Sequence, residues 1–217
     1  MQMNRALRAW RGGLALAAVA IAQPALAGIV STSGDVEVID APESVRGGQF
    51  EGSVARLFQE HEGIILTDSL MVDAVSGSAS LFEDVNPTLL SAGLTVDSYY
   101  VHVDPVGTTP ISTMFTVTFD GPILGVIVSG EHLFASDAML GAAGTAYPGH
   151  GRSGRGLDLD SPDAFSISED QTTLTLEILR TGKVFDQVRV IVGQPIPGPG
   201  GAALLGAVAV FGSRRRR

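Results

Sequence analysis

Between residues 99 and 192, apolar side chains recur at every second position in one run after another. That period of two commits the chain to β-strands with one buried face. In residues 113–119, Phe115, Val117 and Phe119 fall on one side, and Thr116 and Thr118 on the other. In residues 172–178, Leu174, Leu176 and Ile178 oppose Thr173, Thr175 and Glu177. Val188, Val190 and Val192 alternate with Gln187 and Arg189. Tyr99, Val101 and Val103 alternate with Tyr100 and His102, which predicts that only one of the two tyrosines is buried. Residues 123–128 are apolar without a break apart from Gly125, as in a central strand covered on both faces. Asp120-Gly121 has the chemistry of a hairpin turn, and Pro122 limits pairing at the start of the next strand. Turns rich in Gly, Pro, Asp and Ser separate the runs, so the expected fold is all-β, a jelly-roll-like β-sandwich.

Helical signals are few. Residues 53–62 fit either a short helix, with Val54, Leu57 and Phe58 on one face, or a strand running on into Ile64 and Ile65. Residues 136–141 read as one capped turn, with Ser136 as N-cap and Gly141 as stop. Residues 144–156 form a long loop of small residues, expected to be mobile.

The two ends differ in character from this middle. Arg5, Arg8 and Arg11 precede an apolar run over residues 14–22, and Ala25-Leu26-Ala27 before Gly28 has the small-x-small form of a leader cleavage site. The apolar run is much shorter than the roughly 20 residues that span a bilayer, so residues 1–27 read as a signal peptide cut between Ala27 and Gly28. At the other end, a Pro/Gly stretch leads into an apolar segment and then Arg214, Arg215, Arg216 and Arg217. Residues 200–213 would make a helix of about 21 Å, short of a hydrocarbon core of roughly 30 Å. Such a segment suits a transient stop held by arginines on the cytoplasmic side better than a permanent anchor, though a marginal membrane anchor is the alternative. The division is therefore a signal peptide (1–27), one β-sandwich domain (28–193) and a tail (194–217).

Seven of the 14 basic residues lie in the two end segments, while all 23 acidic residues lie in the domain, giving the domain a net charge of −16. A body so acidic repels nucleic acid and anionic lipid. The chain has no cysteine, so packing rather than disulfides must hold an exported domain together.

The C-terminal tail resembles the PEP-CTERM sorting domain handled by exosortase membrane enzymes. Pro197, Gly198 and Pro199 stand where that family shows Pro-Glu-Pro, and the apolar helix and arginine cluster follow as the family has them. Gly198 replaces the usual glutamate, a departure similar to planctomycete-type Pro-Gly variants. The phrases around Tyr99–Asp104, Phe119–Ile127 and Asp186–Ile191 also look like the uncharacterised bodies of such proteins. The leader implies signal peptidase as a processing partner, and the resemblance implies an exosortase-like enzyme, transient membrane association through the tail, and delivery to the cell surface or extracellular matrix. It implies no activity for the domain.

Within the domain, Asp158, Asp160 and Asp163 form a carboxylate cluster that could hold calcium, although the spacing lacks the Gly and Glu of an EF-hand loop. His61, His102, His132 and His150 are scattered without metal-ligand spacing, and His102 beside Asp104 reads as a surface hydrogen-bonded pair. Ser129, Glu131 and His132 supply residue types for nucleophilic catalysis, but there is no Gly-x-Ser-x-Gly elbow. Residues 151–156 lack the lysine of a phosphate loop. Arg152 and Arg155 there are the main basic spot, suited to an acidic polysaccharide or simply to solvating the loop. No catalytic residue, cofactor or metal is expected. The chain reads as a non-enzymatic structural or adhesive protein at the surface or in extracellular polysaccharide. The alternatives are a carbohydrate-binding, calcium-dependent lectin-like module and a secreted glycan hydrolase.

Overall fold

The computed structural model describes residues 28–75, 78–79, 85–151, 155–157, 163–180 and 184–194. Twelve strands and one helix appear in these segments. The strands are β1 (Ile29–Gly34), β2 (Val36–Val38), β3 (Ala55–Ile65), β4 (Leu70–Val72), β5 (Ser78–Ala79), β6 (Thr88–Leu90), β7 (Thr95–Val103), β8 (Ile111–Phe119), β9 (Ile123–Ile127), β10 (Ala164–Ile167), β11 (Thr173–Arg180) and β12 (Asp186–Gly193), and the helix is α1 (Gly130–Leu140). The first sheet has the order β1-β8-β11-β10-β5 and the second β2-β3-β7-β12-β9, with a small β4-β6 pair. Pairing is antiparallel throughout except between β2 and β3.

The period-two pattern builds the core as predicted. Phe115, Val117 and Phe119 of β8 and Leu174, Leu176 and Ile178 of β11 meet Tyr99, Val101 and Val103 of β7 and Val188, Val190 and Val192 of β12 between the two sheets. The chain is an all-β sandwich. A second apolar layer lies on the far side of the second sheet, where Phe58, Tyr100, Ile127 and Ile191 pack against Leu133 and Leu140 of α1 and against Val45, Leu66, Leu70 and Val72. Among the described residues, the second sheet is thus covered on both faces and the first on one.

This extra layer overturns several expectations. Both Tyr99 and Tyr100 are buried, because the supposed outer face of β7 lies under α1. Gln187, Arg189 and His102 lie on the same far face and are buried too, Arg189 beneath α1 and His102 between Phe50 and Phe185, so His102 and Asp104 are not a surface pair. Of the two readings of residues 53–62, the strand holds, and β3 delivers Leu57 and Phe58 to opposite layers. The run 123–128 is covered on both faces, but β9 is an edge strand rather than a central one. Its free edge is closed by residues 73–74: the Asp73 N–H donates to the Val126 carbonyl at 2.8 Å, and the Val126 N–H to the Ala74 carbonyl at 2.8 Å. Asp120-Gly121 does not make a hairpin, since β8 and β9 belong to different sheets. It carries the chain across the sandwich, and a Cβ on Gly121 would collide with the Gly193 carbonyl.

The helix is longer than the sequence signals indicated. It starts at Ser129 rather than Ser136, and Gly141 does end it. Ser136 is buried in its middle and returns a hydrogen bond to the His132 carbonyl at 2.7 Å. The loop that follows is fixed along its described part. The Ala146 N–H donates to the Glu43 carbonyl at 2.9 Å, and Thr145 Oγ1 to the Pro42 carbonyl at 2.6 Å.

Candidate functional site

Three polar features stand out, and alternation along the strands positions each of them. The first lies under α1. Because β12 turns Val188 and Val190 toward the sandwich core, Gln187 and Arg189 must face the far layer, Arg189 beneath the helix; β7 presents Ser98 and Tyr100 on that face, and β3 presents Glu60. Arg189 is fully buried and grips Glu60 with both arms, Nε to Oε2 and Nη2 to Oε1, each at 2.7 Å. Its Nη1 donates to Ser136 Oγ at 2.5 Å and to the Leu133 carbonyl at 3.2 Å, and Nη2 reaches Asp137 Oδ1 at 3.1 Å. The rings of Tyr100 and Tyr147 lie 5.0 and 5.6 Å from the guanidinium carbon. Glu60 also accepts from Ser98 Oγ and the Tyr147 hydroxyl, both at 2.6 Å. Arg155, expected as a loop-surface cation, is instead buried and bonded to Asp137 at 2.7 Å and to the Pro148 carbonyl at 2.8 Å.

Two guanidiniums thus face two carboxylates. Burial would pull Arg189 down, yet Glu60 and then Tyr100 and Asp137 hold it above its ordinary value. Burial pushes the Tyr100 phenol up; it does the same to Tyr147, with the Glu60 charge next in importance. Both phenols therefore remain donors. The bidentate geometry and the closed charge balance make this cluster a clamp joining the sheet, α1 and the following loop.

The second feature is a carboxylate–imidazole pair at the start of α1. Asp73 is buried; its Oδ2 accepts the Val128 and Ser129 N–H groups, each at 2.7 Å, and its Oδ1 accepts His132 Nδ1 at 2.5 Å. The His132 ring is about one quarter exposed. A carboxylate that fixes the imidazole orientation is the first half of a general-base device. Among the described residues, however, no hydroxyl is hydrogen-bonded to the other ring nitrogen, and Ser129 makes no capping bond with its side chain. What Asp73 does in this structure is tie the β9 exit and the helix start to the segment covering β9. Asp73→Ala should cost about 2 kcal/mol, because two backbone donors and the imidazole lose a charged acceptor. Chemical denaturation would show this as a lower midpoint at unchanged slope.

The third feature is the outer face of the first sheet. As alternation predicts, Thr116 and Thr118 of β8 and Thr173 and Thr175 of β11 point away from the core and are partly exposed. Register aligns them into rows. Ser33, Thr116, Thr175 and Ser166 are successive partners across β1, β8, β11 and β10, and Ser31, Thr118 and Thr173 form the next row. The hydroxyls touch across strands: Ser33 and Thr116 at 2.6 Å, Thr118 and Thr173 at 3.1 Å. Rows of this kind repeat about every 6.8 Å along a strand and about 4.8 Å between strands. The face carries Met114 and Glu177 beside the hydroxyls and no Lys or Arg in these rows.

Gly28, the predicted first residue after cleavage, sits at the entry to β1 with its N–H directed at Asp120 Oδ2, 3.3 Å away. Ala27, Pro197, Gly198, Pro199, Arg214, Arg215, Arg216 and Arg217 lie outside the described residues, as do Arg152, Asp158 and Asp160. Asp163, the third member of the proposed calcium cluster, is buried and accepts the Leu179 N–H at 2.8 Å, so one of its oxygens is engaged in anchoring β11. The histidines remain apart: His61 bonds the Gly141 carbonyl at 3.1 Å, and His150 packs edge-on against Phe134 at 5.1 Å. Among the described residues no helix is long and apolar enough to cross a membrane. No family model matches this chain, and neither a curated protein nor a solved structure is similar to it.

Proposed function

We propose that this is an exported, non-enzymatic adhesive protein of the cell surface or extracellular matrix, which holds neutral, hydroxyl-rich polysaccharide against the outer face of its first sheet. The observation that carries this reading is the double row of serine and threonine hydroxyls running across that face. Each hydroxyl is both donor and acceptor and rotates to suit its partner. A lattice of them matches sugar hydroxyls without desolvating a charge, which an acidic surface could not do. The leader-like N-terminus and the PEP-CTERM-like tail support export and sorting, with signal peptidase and an exosortase-like enzyme as the processing partners.

A glycan array supplemented with neutral polymers tests the binding, and intact-mass analysis of fractionated cells tests the address. Thr116→Lys combined with Thr175→Glu places an opposite-charge pair in the middle of the first row. It should leave stability within about 0.5 kcal/mol, as usual for exposed sites, and reduce polysaccharide retention about tenfold or more. Unchanged retention by the variant would exclude this face as the binding surface. Precursor recovered from the cytoplasm with Arg214 to Arg217 intact would remove the address.

A further inference from the structure

The entry to β1 has features that export alone does not require. Gly28 is buried and has φ of +100°, a conformation that favours glycine. A Cβ there would overlap the Tyr99 hydroxyl. Its backbone is bonded in both directions to one residue: the Gly28 N–H points at Asp120 Oδ2 at 3.3 Å, and the Asp120 N–H donates to the Gly28 carbonyl at 2.9 Å. Asp120 leaves the end of β8, the strand on which β1 pairs, so this contact closes the first rung of that pairing. The corner is negative. The Tyr99 phenol beside it is held above its usual range by burial and then by the charges of Asp97, Asp120 and Glu62.

A carboxylate aimed at a buried backbone nitrogen calls for a cation, and the sequence offers one. Ala25-x-Ala27 places the predicted cut at the peptide bond preceding this nitrogen. Hydrolysis of that bond turns the neutral amide of Gly28 into an ammonium group, with an unperturbed pKa of about 7.7–8.0. We propose that the Gly28 ammonium created by leader removal forms an ion pair with Asp120, so that processing itself fastens β1 onto the sandwich. This inference rests on the export reading given above, and it assigns Asp120 as the receptor for the mature N-terminus. The nitrogen keeps its place, and its existing hydrogen bond becomes charge-assisted and correspondingly stronger. A cut one residue earlier would displace the charge by one Cα step, about 3.8 Å, and leave an ordinary amide facing Asp120. The Asp120 carboxylate favours the charged amine, so the folded form holds this proton to higher pH than the unfolded form. The gain is complete below about pH 7.7 and disappears as pH rises through the folded-state value.

The test compares the leader-free chain beginning at Gly28 and running to Arg217 with the same chain carrying Ala27 in front, each with and without Asp120→Asn. At pH 6.5 the Gly28 form should melt about 1–3 °C higher than the extended form, the scale of a partly exposed ion pair. The difference should vanish in Asp120→Asn and shrink above pH 9. Equal midpoints for the two forms, or a difference that survives Asp120→Asn, would overturn the ion pair. N-terminal sequencing of the exported protein is read separately. A first residue other than Gly28 would overturn the cleavage reading on which the inference rests, whatever the melting data show.

Discussion

Replacing Arg189 with methionine should destabilise the domain by about 3–5 kcal/mol, the usual cost of stranding one partner of a buried ion pair. Methionine fills much of the same volume, so the loss is electrostatic more than steric. Glu60 would keep its bonds from Ser98 and Tyr147. It would lose the two 2.7 Å charge-assisted bonds that balance its burial. For a domain of this size the midpoint should fall by roughly 6–20 °C. Adding Glu60→Gln to Arg189→Met removes the stranded charge and should restore about 1–3 kcal/mol, as expected for residues that share a network. Thermal and urea unfolding of the two single variants and the double variant measure the coupling directly. A loss under 1 kcal/mol for Arg189→Met would mean that the clamp contributes little to holding the helix on the sheet.

The clamp also marks where sequence reading stopped. The sandwich core was legible because Phe115, Val117 and Phe119, like Leu174, Leu176 and Ile178, face a single apolar layer and alternate cleanly with threonines. The hydroxyl face was legible from the same strands for the same reason. In β12 the pattern was equally visible, but alternation tells only that Gln187 and Arg189 share a face, not that a helix covers it. Period two cannot separate water from a polar network. The helix itself was hidden by its inward residues, Leu133, Ser136 and Leu140. A serine in the middle of that row breaks the apolar repeat, because its hydroxyl serves Arg189 rather than the hydrophobic layer. Asp73 gave no signal at all. Its partners Val128, Ser129 and His132 lie more than fifty residues away in sequence and meet it only after the segment covering β9 is in place. The hairpin expected at Asp120-Gly121 failed on a related point, since a turn signal marks a reversal of the chain and not which sheet receives the next strand.

The same buried layer should make the protein acid-labile through His102. Its ring is fully buried between Phe50 and Phe185, and its Nδ1 accepts a hydrogen bond from Gln187 Nε2 at 3.1 Å. Its Nε2 makes no hydrogen bond among the described residues and lies 3.8 Å from Asp104 Oδ2. Burial, and then the positive charge of Arg56, push the imidazole down from 6.5 to about 4. The unfolded chain therefore takes up this proton first as pH falls, so stability is complete above about pH 6.5 and declines toward pH 4. A shift of that size corresponds to about 3 kcal/mol at most. Asp104 opposes part of the loss at the acid end, because burial raises its carboxyl above the usual range despite the Gly48 N–H that it accepts at 2.7 Å. His102→Asn keeps an acceptor for Gln187 and removes the titration. Its absolute stability at pH 7 should be lower because the smaller side chain leaves a void, but its loss between pH 7 and pH 4.5 should be at least 1 kcal/mol smaller than that of the unmodified chain. Urea midpoints at the two pH values decide the matter, and parallel pH dependence in the two proteins would assign the acid sensitivity to the surface carboxylates instead.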